Sequence, residues 1–205
     1  MNFSASALVK QSASQLLYYM ITGKSKEITA GQKVGEVYAS NITKSLGFCS
    51  EKRGVIQHLN HNLFFCIDAI NDNEYIEIKK VDDQANYQDW YLQMSVLQAC
   101  LYSSLLNKVD TLDTPAFRQK EGYEQEIISV KKPFDYLLYF GSDIYKIEPN
   151  EKVSNFYLQK LELLAEAYDD RNFDSCRKFD SSYKHKEFSL LKPKFTFHKK
   201  LETIL

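Results

Sequence analysis

The stretch that most constrains this chain runs over residues 63–81. Residues 63–70 and 75–81 are short runs rich in aromatic and β-branched side chains, and Asn71, Asp72, Asn73 and Glu74 between them supply turn chemistry. The pattern predicts a β-hairpin with a four-residue loop, in which Ile70 faces Tyr75 and Ala69 faces Ile76. Asp68 then lies opposite Glu77, with Cβ atoms about 4.5–5.5 Å apart. Side chains alternate along a strand, so Lys79 shares the face of Glu77 and Asp68, while Phe65, Ile67, Ile76 and Ile78 point into a core. Two facing carboxylates repel unless a cation lies between them. Lys79 or a metal ion fills that role. A hairpin bearing Asp, Glu and Lys is also ordinary protein surface, so the remaining chain must decide between the two readings.

Helical patterns flank the hairpin. Ser12 caps a short helix that ends before Gly23, and Thr29 caps a second one over residues 30–46. Val34, Val37, Tyr38, Ile42 and Leu46 form the apolar stripe of that second helix, and Glu36 lies off it. Gly31 and Gly35, one turn apart, predict a close packing partner, since each lowers helix propensity by about 1 kcal/mol relative to Ala. Residues 48–54 read as a loop, residues 55–59 as a strand, and residues 60–62 as a turn. His58 and His61, with no nearby Cys, read as exposed or locally hydrogen-bonded rather than as metal ligands. A long helix over residues 87–107 carries Trp90, Met94, Leu97, Leu101 and Leu105 as its buried stripe. Gln98 and Tyr102, four apart, share one exposed or half-buried face of it. Residues 108–132 read as a long loop with strand character only at 127–130. A second hairpin over residues 136–147 and a helix opened by Pro149 and Asn150 complete the body. The order predicts one α/β domain over residues 1–205, a mixed central sheet flanked by helices.

Composition limits what such a domain does. The 205 residues are 44% hydrophobic and 26% charged, ordinary for a globular protein with a proper core. No apolar run approaches a membrane span, and the N-terminus lacks a basic-then-hydrophobic signal pattern. Cys49, Cys66, Cys100 and Cys176 are scattered, with no C-x-x-C pair, which points to reduced thiols in the cytoplasm and away from a structural zinc or iron–sulfur site. Charge is uneven. Residues 171–205 hold 9 Lys or Arg against 4 Asp or Glu, while the body before them is acidic. This segment reads as a basic C-terminal extension. Aromatic residues are interleaved with Lys192, Lys194, Lys199 and Lys200, a pattern suited to nucleic-acid phosphates and bases. Phe195 and Phe197 also alternate as in a strand, so the tail folding back on the domain is the competing reading.

A helix with an acid, a hairpin with D…E-x-K, then a helix with Q-x-x-x-Y: this ordered set resembles the RecB-like branch of the PD-(D/E)xK nucleases. The matching residues are Ser12 to Leu16, Gly31 to Glu36, Asp68, Glu77 with Ile78 and Lys79, and Gln98 to Tyr102. Together they span about half the chain. The resemblance implies a restriction-endonuclease-like core and metal-dependent hydrolysis of DNA, as an exonuclease rather than an endonuclease. It further implies Mg²⁺ or Mn²⁺ held by Asp68, Glu77 and the Ile78 carbonyl, with Glu36 as a further ligand. Lys79 would orient water or stabilise the transition state. Gln98 and Tyr102 would hold the substrate backbone or brace the lysine. Two departures stand out. Gly35 occupies the position where many members carry a metal-binding His, and the cysteine set of the cluster-bearing members is missing, so no iron–sulfur cluster is expected. The alternatives are a non-catalytic nucleic-acid-binding relative and an RNA-cleaving endonuclease with a similar acid cluster.

Overall fold

The computed structural model describes residues 1–24, 30–81, 89–120, 122–183 and 186–201. In chain order its elements are β1 (Asn2–Ser4), α1 (Ala5–Lys10), α2 (Ala13–Thr22), α3 (Ala30–Ser45), β2 (Cys49–His58), β3 (His61–Asn71), β4 (Glu74–Lys79), α4 (Asp89–Leu106), β5 (Thr111–Asp113), α5 (Ala116–Lys120), β6 (Ile127–Ser129), β7 (Asp135–Phe140), β8 (Asp143–Ile147), α6 (Glu151–Asp170), α7 (Phe173–Tyr183), α8 (Glu187–Leu191) and β9 (Phe195–Lys200). The strands form one mixed sheet in the order β6-β5-β2-β3-β4-β7-β8-β9, and β1 pairs with β3 beside that path. No helix among the described residues is long and apolar enough to cross a membrane.

The central hairpin has the expected register, with Ala69 opposite Ile76 and Ile70 opposite Tyr75. Its turn is tighter than a four-residue loop. Asn71 and Glu74 still pair, and Asp72, at φ +52°, turns the chain with Asn73. A two-residue connection of this kind favours positive φ, which Asp and Asn tolerate.

What positions the site is a split beside β3. One edge of β3 is taken by β2, from Cys49 opposite Ile70 to His58 opposite His61. The other edge is shared by two strands. β1 runs parallel along residues 62–64, and β4 runs antiparallel along 69–71. The β4 ladder stops at Ala69, one residue short of Asp68. There the Asp68 side chain takes over the backbone's role and accepts the Ile78 N–H at 2.7 Å.

Helices cover both faces. The larger core cluster joins Leu63, Phe65, Ile67 and Tyr75 of the sheet to α1, α2, α4 and α6. The smaller one joins Ala69, Ile76, Ile78, Leu137, Tyr139 and Ile144, with Tyr38 and Ile42 of α3 and Leu46 just after it packed against it. Phe65 and Ile67 therefore belong to a different cluster from Ile76 and Ile78, not to one common core. Gly54 is required where β2 crosses Phe65, because a Cβ there would meet the Phe65 ring at 2.2 Å.

Several sequence expectations hold. Ser12 caps α2 by accepting the Gln15 N–H, and Gly23 ends that helix at φ +65°. Asn150 caps α6 through Lys152 and Val153. Others are corrected. Of residues 48–54, expected as a loop, all but Phe48 form the first half of β2, and the turn before β3 is Leu59 with Asn60. The 108–132 region contains β5, α5 and β6. Trp90 is 57% exposed, and residues 95–106 of α4 are buried on all sides, because the helix is enclosed by the sheet, α1 and α6. Val34 and Val37 are exposed, and among the described residues a Cβ at Gly35 would meet nothing within 4 Å, so the predicted close neighbour is not found there, while the surroundings of Gly31 lie outside the described residues. The Thr29 cap and residues 82–88 lie outside the described residues.

Candidate functional site

Glu77 is the centre of the site. It projects from β4 beneath α4 and is 1% exposed. Its Oε1 accepts hydrogen bonds from Lys79 Nζ and from Gln98 Nε2, the latter at 2.6 Å. Its Oε2 is buried and without a hydrogen-bond partner among the described residues, as are Gln98 Oε1 and the Tyr136 hydroxyl oxygen. Burial pushes the Glu77 carboxyl well above the usual range and repulsion from Asp68 adds to this, while Lys79 and Lys10 oppose it. For Lys79, burial pulls downward, but the attraction of Glu77 and Asp68 outweighs it, so the ammonium stays charged. Hydroxyls nearby feel the same field. Burial first, then Glu77, raises both Tyr102 and Tyr136 well above the ordinary phenol value.

Asp68 connects this buried pocket to an open cleft. The cleft, of about 90 Å³, is lined by Glu36 of α3, Glu51 of β2, Asp68, Arg118 of α5 and Tyr123, among others. Glu51 lies across from Asp68, between the pairs Ser50 with Ala69 and Lys52 with Ile67. Burial pushes its carboxyl up to about 7, Asp68 adds to this, and Arg118, bonded at 3.1 Å, opposes it. Glu51 carries no sequence signal of its own, because the polar run from Cys49 to Gly54 lacks strand alternation. Register contained the signal. Counting back from His58 opposite His61 places residue 51 against Asp68.

The structure thus brings Asp68, Glu77, Lys79 and Gln98 together, with Ile78 tied to Asp68 through its N–H. Glu36 joins Asp68 in the cleft. Gln98 and Tyr102 are each 3% exposed, not on an exposed or half-buried face. Gln98 braces Glu77 directly, and Tyr102 packs on Phe65 with ring centroids 5.7 Å apart. His58 bonds Glu162 at 2.5 Å, and His61 lies 3.4 Å from the N-terminal amine. Cys100 is buried and Cys66 half-buried, and all four thiols are free.

The basic segment is not a separate extension. It folds into α7, α8 and β9, and β9 pairs with β8 at the sheet edge. Its lysines fall at two ends. Lys200 pairs with Asp143, Asp143 with Phe140, and Phe140 with Lys79, a row of three strand spacings spanning about 14 Å. Lys199 is beside it in β9. Lys192 and Lys194 precede Phe195, whose row leads through Ile147 and Tyr136 to Tyr75 at the far end, and Lys194 approaches Glu148 at 3.7 Å.

The oxygen donors suit a hard divalent cation in kind. Asp68 and Glu77 are adjacent carboxylates that repel each other, and Glu77 keeps one orphaned buried oxygen. Among the described residues no three Asp, Glu, His or Cys side chains converge tightly enough to hold a metal alone. Oxygen donors of this kind suit ions that keep several of their waters, as magnesium does.

No family model matches the chain, and no curated protein matches it. A solved structure described as "Crystal structure of SSO0001" is similar over 93% of this chain and 85% of that one, with 14% identity and a TM-score of 0.46.

Proposed function

We propose that this chain is a metal-dependent phosphodiester hydrolase acting on DNA, with a PD-(D/E)xK-type core and its chemistry at Asp68, Glu77 and Lys79. The observation that carries the reading is the orphaned Oε2 of Glu77 beside Asp68, with Lys79 and Gln98 committed to the other oxygen. A buried, half-satisfied carboxylate next to a second carboxylate costs stability, and perturbed groups of this kind gather at functional sites. Asp68 and Glu77 would hold Mg²⁺ or Mn²⁺, helped by the Ile78 carbonyl and by Glu36 through water. The bound ion would supply a water of lowered pKa and compensation for charge on the leaving oxygen. Lys79 keeps its proton at neutral pH and presents a positive charge to the reacting phosphate. Gln98 fixes the Glu77 rotamer, and the Asp68 bond to the Ile78 N–H fixes the other carboxylate. Lys199 and Lys200 extend positive charge along the same end of the sheet as Lys79, where a nucleic-acid backbone would pass.

The second reading is a non-catalytic nucleic-acid-binding relative. It is favoured by the absence of three convergent ligand groups among the described residues. End-labelled DNA and RNA strands incubated with Mg²⁺, Mn²⁺ or EDTA separate the two. DNA cleavage with metal and none in EDTA is expected. Binding without cleavage under every metal condition selects the non-catalytic reading, and cleavage of RNA alone selects the ribonuclease.

A further inference from the structure

Segment 111–126 carries no motif, yet three consecutive residues of β2 grip it. Glu51 accepts from Arg118 Nε at 3.1 Å. Lys52 Nζ, 3% exposed, donates to Glu126 at 2.6 Å and to Thr114 Oγ1 at 3.1 Å. Arg53 donates twice to Asp113, at 3.0 and 2.5 Å. The Lys52 and Arg53 contacts lie on both sides of Arg118 in sequence. The segment is therefore clamped at 113–114 and again at 126, and Arg118 is carried between the clamps into the cleft that holds Asp68 and Glu36. Its guanidinium carbon also lies 5.6 Å from the centroid of the Tyr123 ring.

Position and chemistry both matter here. A guanidinium is planar, permanently charged and weakly hydrated, and its fork of donors fits a phosphate's oxygens. Its carboxylate partner Glu51 stands in the same cleft as Asp68 and Glu36. An anionic backbone entering this acidic cleft needs one fixed cation, and among the lining residues Arg118 is the cation held by clamps on both sides. The other basic lining residue, Lys44, sits in the last turn of α3.

We propose that Arg118 is the phosphate-positioning residue of this cleft, holding a non-bridging oxygen of a nucleic-acid phosphodiester beside Asp68, with Glu51 as its resting partner. The inference rests on the hydrolase reading for its substrate class. It also gives segment 111–126 a role, as the wall that delivers a fixed cation to a cleft holding the carboxylates of Glu36, Glu51 and Asp68.

The test is binding of fluorescently labelled single- and double-stranded DNA in EDTA, read by anisotropy over a range of salt, with thermal melts alongside. Arg118→Gln alone would strand Glu51 unpaired next to Asp68. The informative pair is therefore Glu51→Gln against Glu51→Gln/Arg118→Gln, in which Glu51 is not left as an unpaired carboxylate. The double variant should bind about tenfold or more weakly than the single one. Its slope of log affinity against log salt should be shallower by about 0.7–0.9, the loss of one phosphate contact. Arg118→Lys should keep the slope and lose part of the affinity. Equal affinity and equal slope in the Glu51→Gln pair overturn the proposal, and a lowered melting temperature without those changes marks Arg118 as structural only. Failure of the hydrolase reading is seen separately. DNA binding that depends on Arg118, with no cleavage in Mg²⁺ or Mn²⁺, removes the enzyme and keeps the phosphate site. No binding by the wild-type protein overturns both.

Discussion

Lys79 and Lys160 are both largely withdrawn from water, and their surroundings push them in opposite directions. Around Lys79 the pull of burial is outweighed by Glu77 and Asp68, and the pKa ends above the ordinary lysine value. Around Lys160 burial wins over Asp180 and Glu187, and the pKa falls to about 8. The partners explain the difference. Lys160 Nζ donates to the backbone carbonyls of Leu8 at 2.7 Å and Gln11 at 2.6 Å, neutral groups at the end of α1. Just beyond, Asp180 accepts the N–H groups of Ala13 and Ser14 at the start of α2. Those two charges fasten the α1–α2 junction to α6 and α7, and helix ends are where unpaired backbone groups need such partners. Lys79 fastens nothing of that kind. It holds a carboxylate that has an oxygen to spare beside a second carboxylate. A buried cation bonded to backbone carbonyls is a structural feature, and one bonded to a half-satisfied acid pair points to chemistry.

Truncating both lysines breaks or sharpens that contrast. Lys79→Ala should lower metal-dependent DNA cleavage by about a thousandfold, in line with removal of a charge-stabilising donor. Calorimetric titration should still detect metal binding, because lysine offers no oxygen ligand. Lys160→Ala should leave the cleavage rate of the folded protein nearly unchanged and lower stability by about 2–3 kcal/mol, through two lost hydrogen bonds to carbonyls in the core. A Lys79→Ala protein that loses metal binding as fully as Asp68→Ala contradicts the role given to the lysine.

Gly54 tests how tightly the sheet backs the site. Phe65 fills the space above it and leans on Tyr102, so Gly54→Ala must displace a buried ring. A loss of about 1–3 kcal/mol in urea unfolding is expected, and a stability equal to wild type would mean that Phe65 moves freely.

Titration separates the lysines further. The folded-state pKa of Lys160, about 8, lies below its unfolded value near 10.5. Between those values the unfolded chain binds more protons, so this residue's contribution to stability rises with pH, and below about 8 the full cost of burying the charge remains. Wild type should therefore gain about 1–3 kcal/mol relative to Lys160→Met between pH 8 and 10.5. The comparison with the variant cancels the tyrosines that titrate in the same range. A pH-independent difference would mean that the lysine is not desolvated.

How much of this was legible beforehand depended on periodicity. The register of the central hairpin followed from two apolar runs and a turn, although the ladder ends at Ala69 with Ile76, before the expected pair of Asp68 with Glu77. The cap at Ser12 and the stop at Gly23 are local chemistry and read directly. Glu51 was hidden because the site half of β2 is polar, and a strand whose side chains pair with another segment shows no alternation. A single apolar stripe on α4 predicts Gln98 and Tyr102 on a half-exposed face, whereas residues 95–106 of this helix are buried on all sides. The basic tail invited a reading as an arm. Its strand pairing is set by a partner far away in sequence, which charge patterning does not reveal.

The smallest expected effect concerns that tail. Lys200 lies in the row that leads to Lys79 and Lys199 in the neighbouring row that leads to Ile78, while Lys192 and Lys194 lie at the opposite end. Lys199→Gln/Lys200→Gln should weaken DNA binding a few-fold and flatten its salt dependence, while Lys192→Gln/Lys194→Gln should change neither. Equal effects from both pairs would mean that the strand row does not mark the substrate path.

The central claim is that the Asp68 and Glu77 carboxylates act together as a metal-dependent catalytic pair. It is tested most directly by single-turnover cleavage of end-labelled DNA by wild type, Asp68→Asn and Glu77→Gln, with Mg²⁺ or Mn²⁺ and with EDTA. Cleavage by the wild type with metal, none in EDTA, and none by either folded variant is the predicted result. Undiminished cleavage by either variant, or cleavage that persists in EDTA, would contradict it.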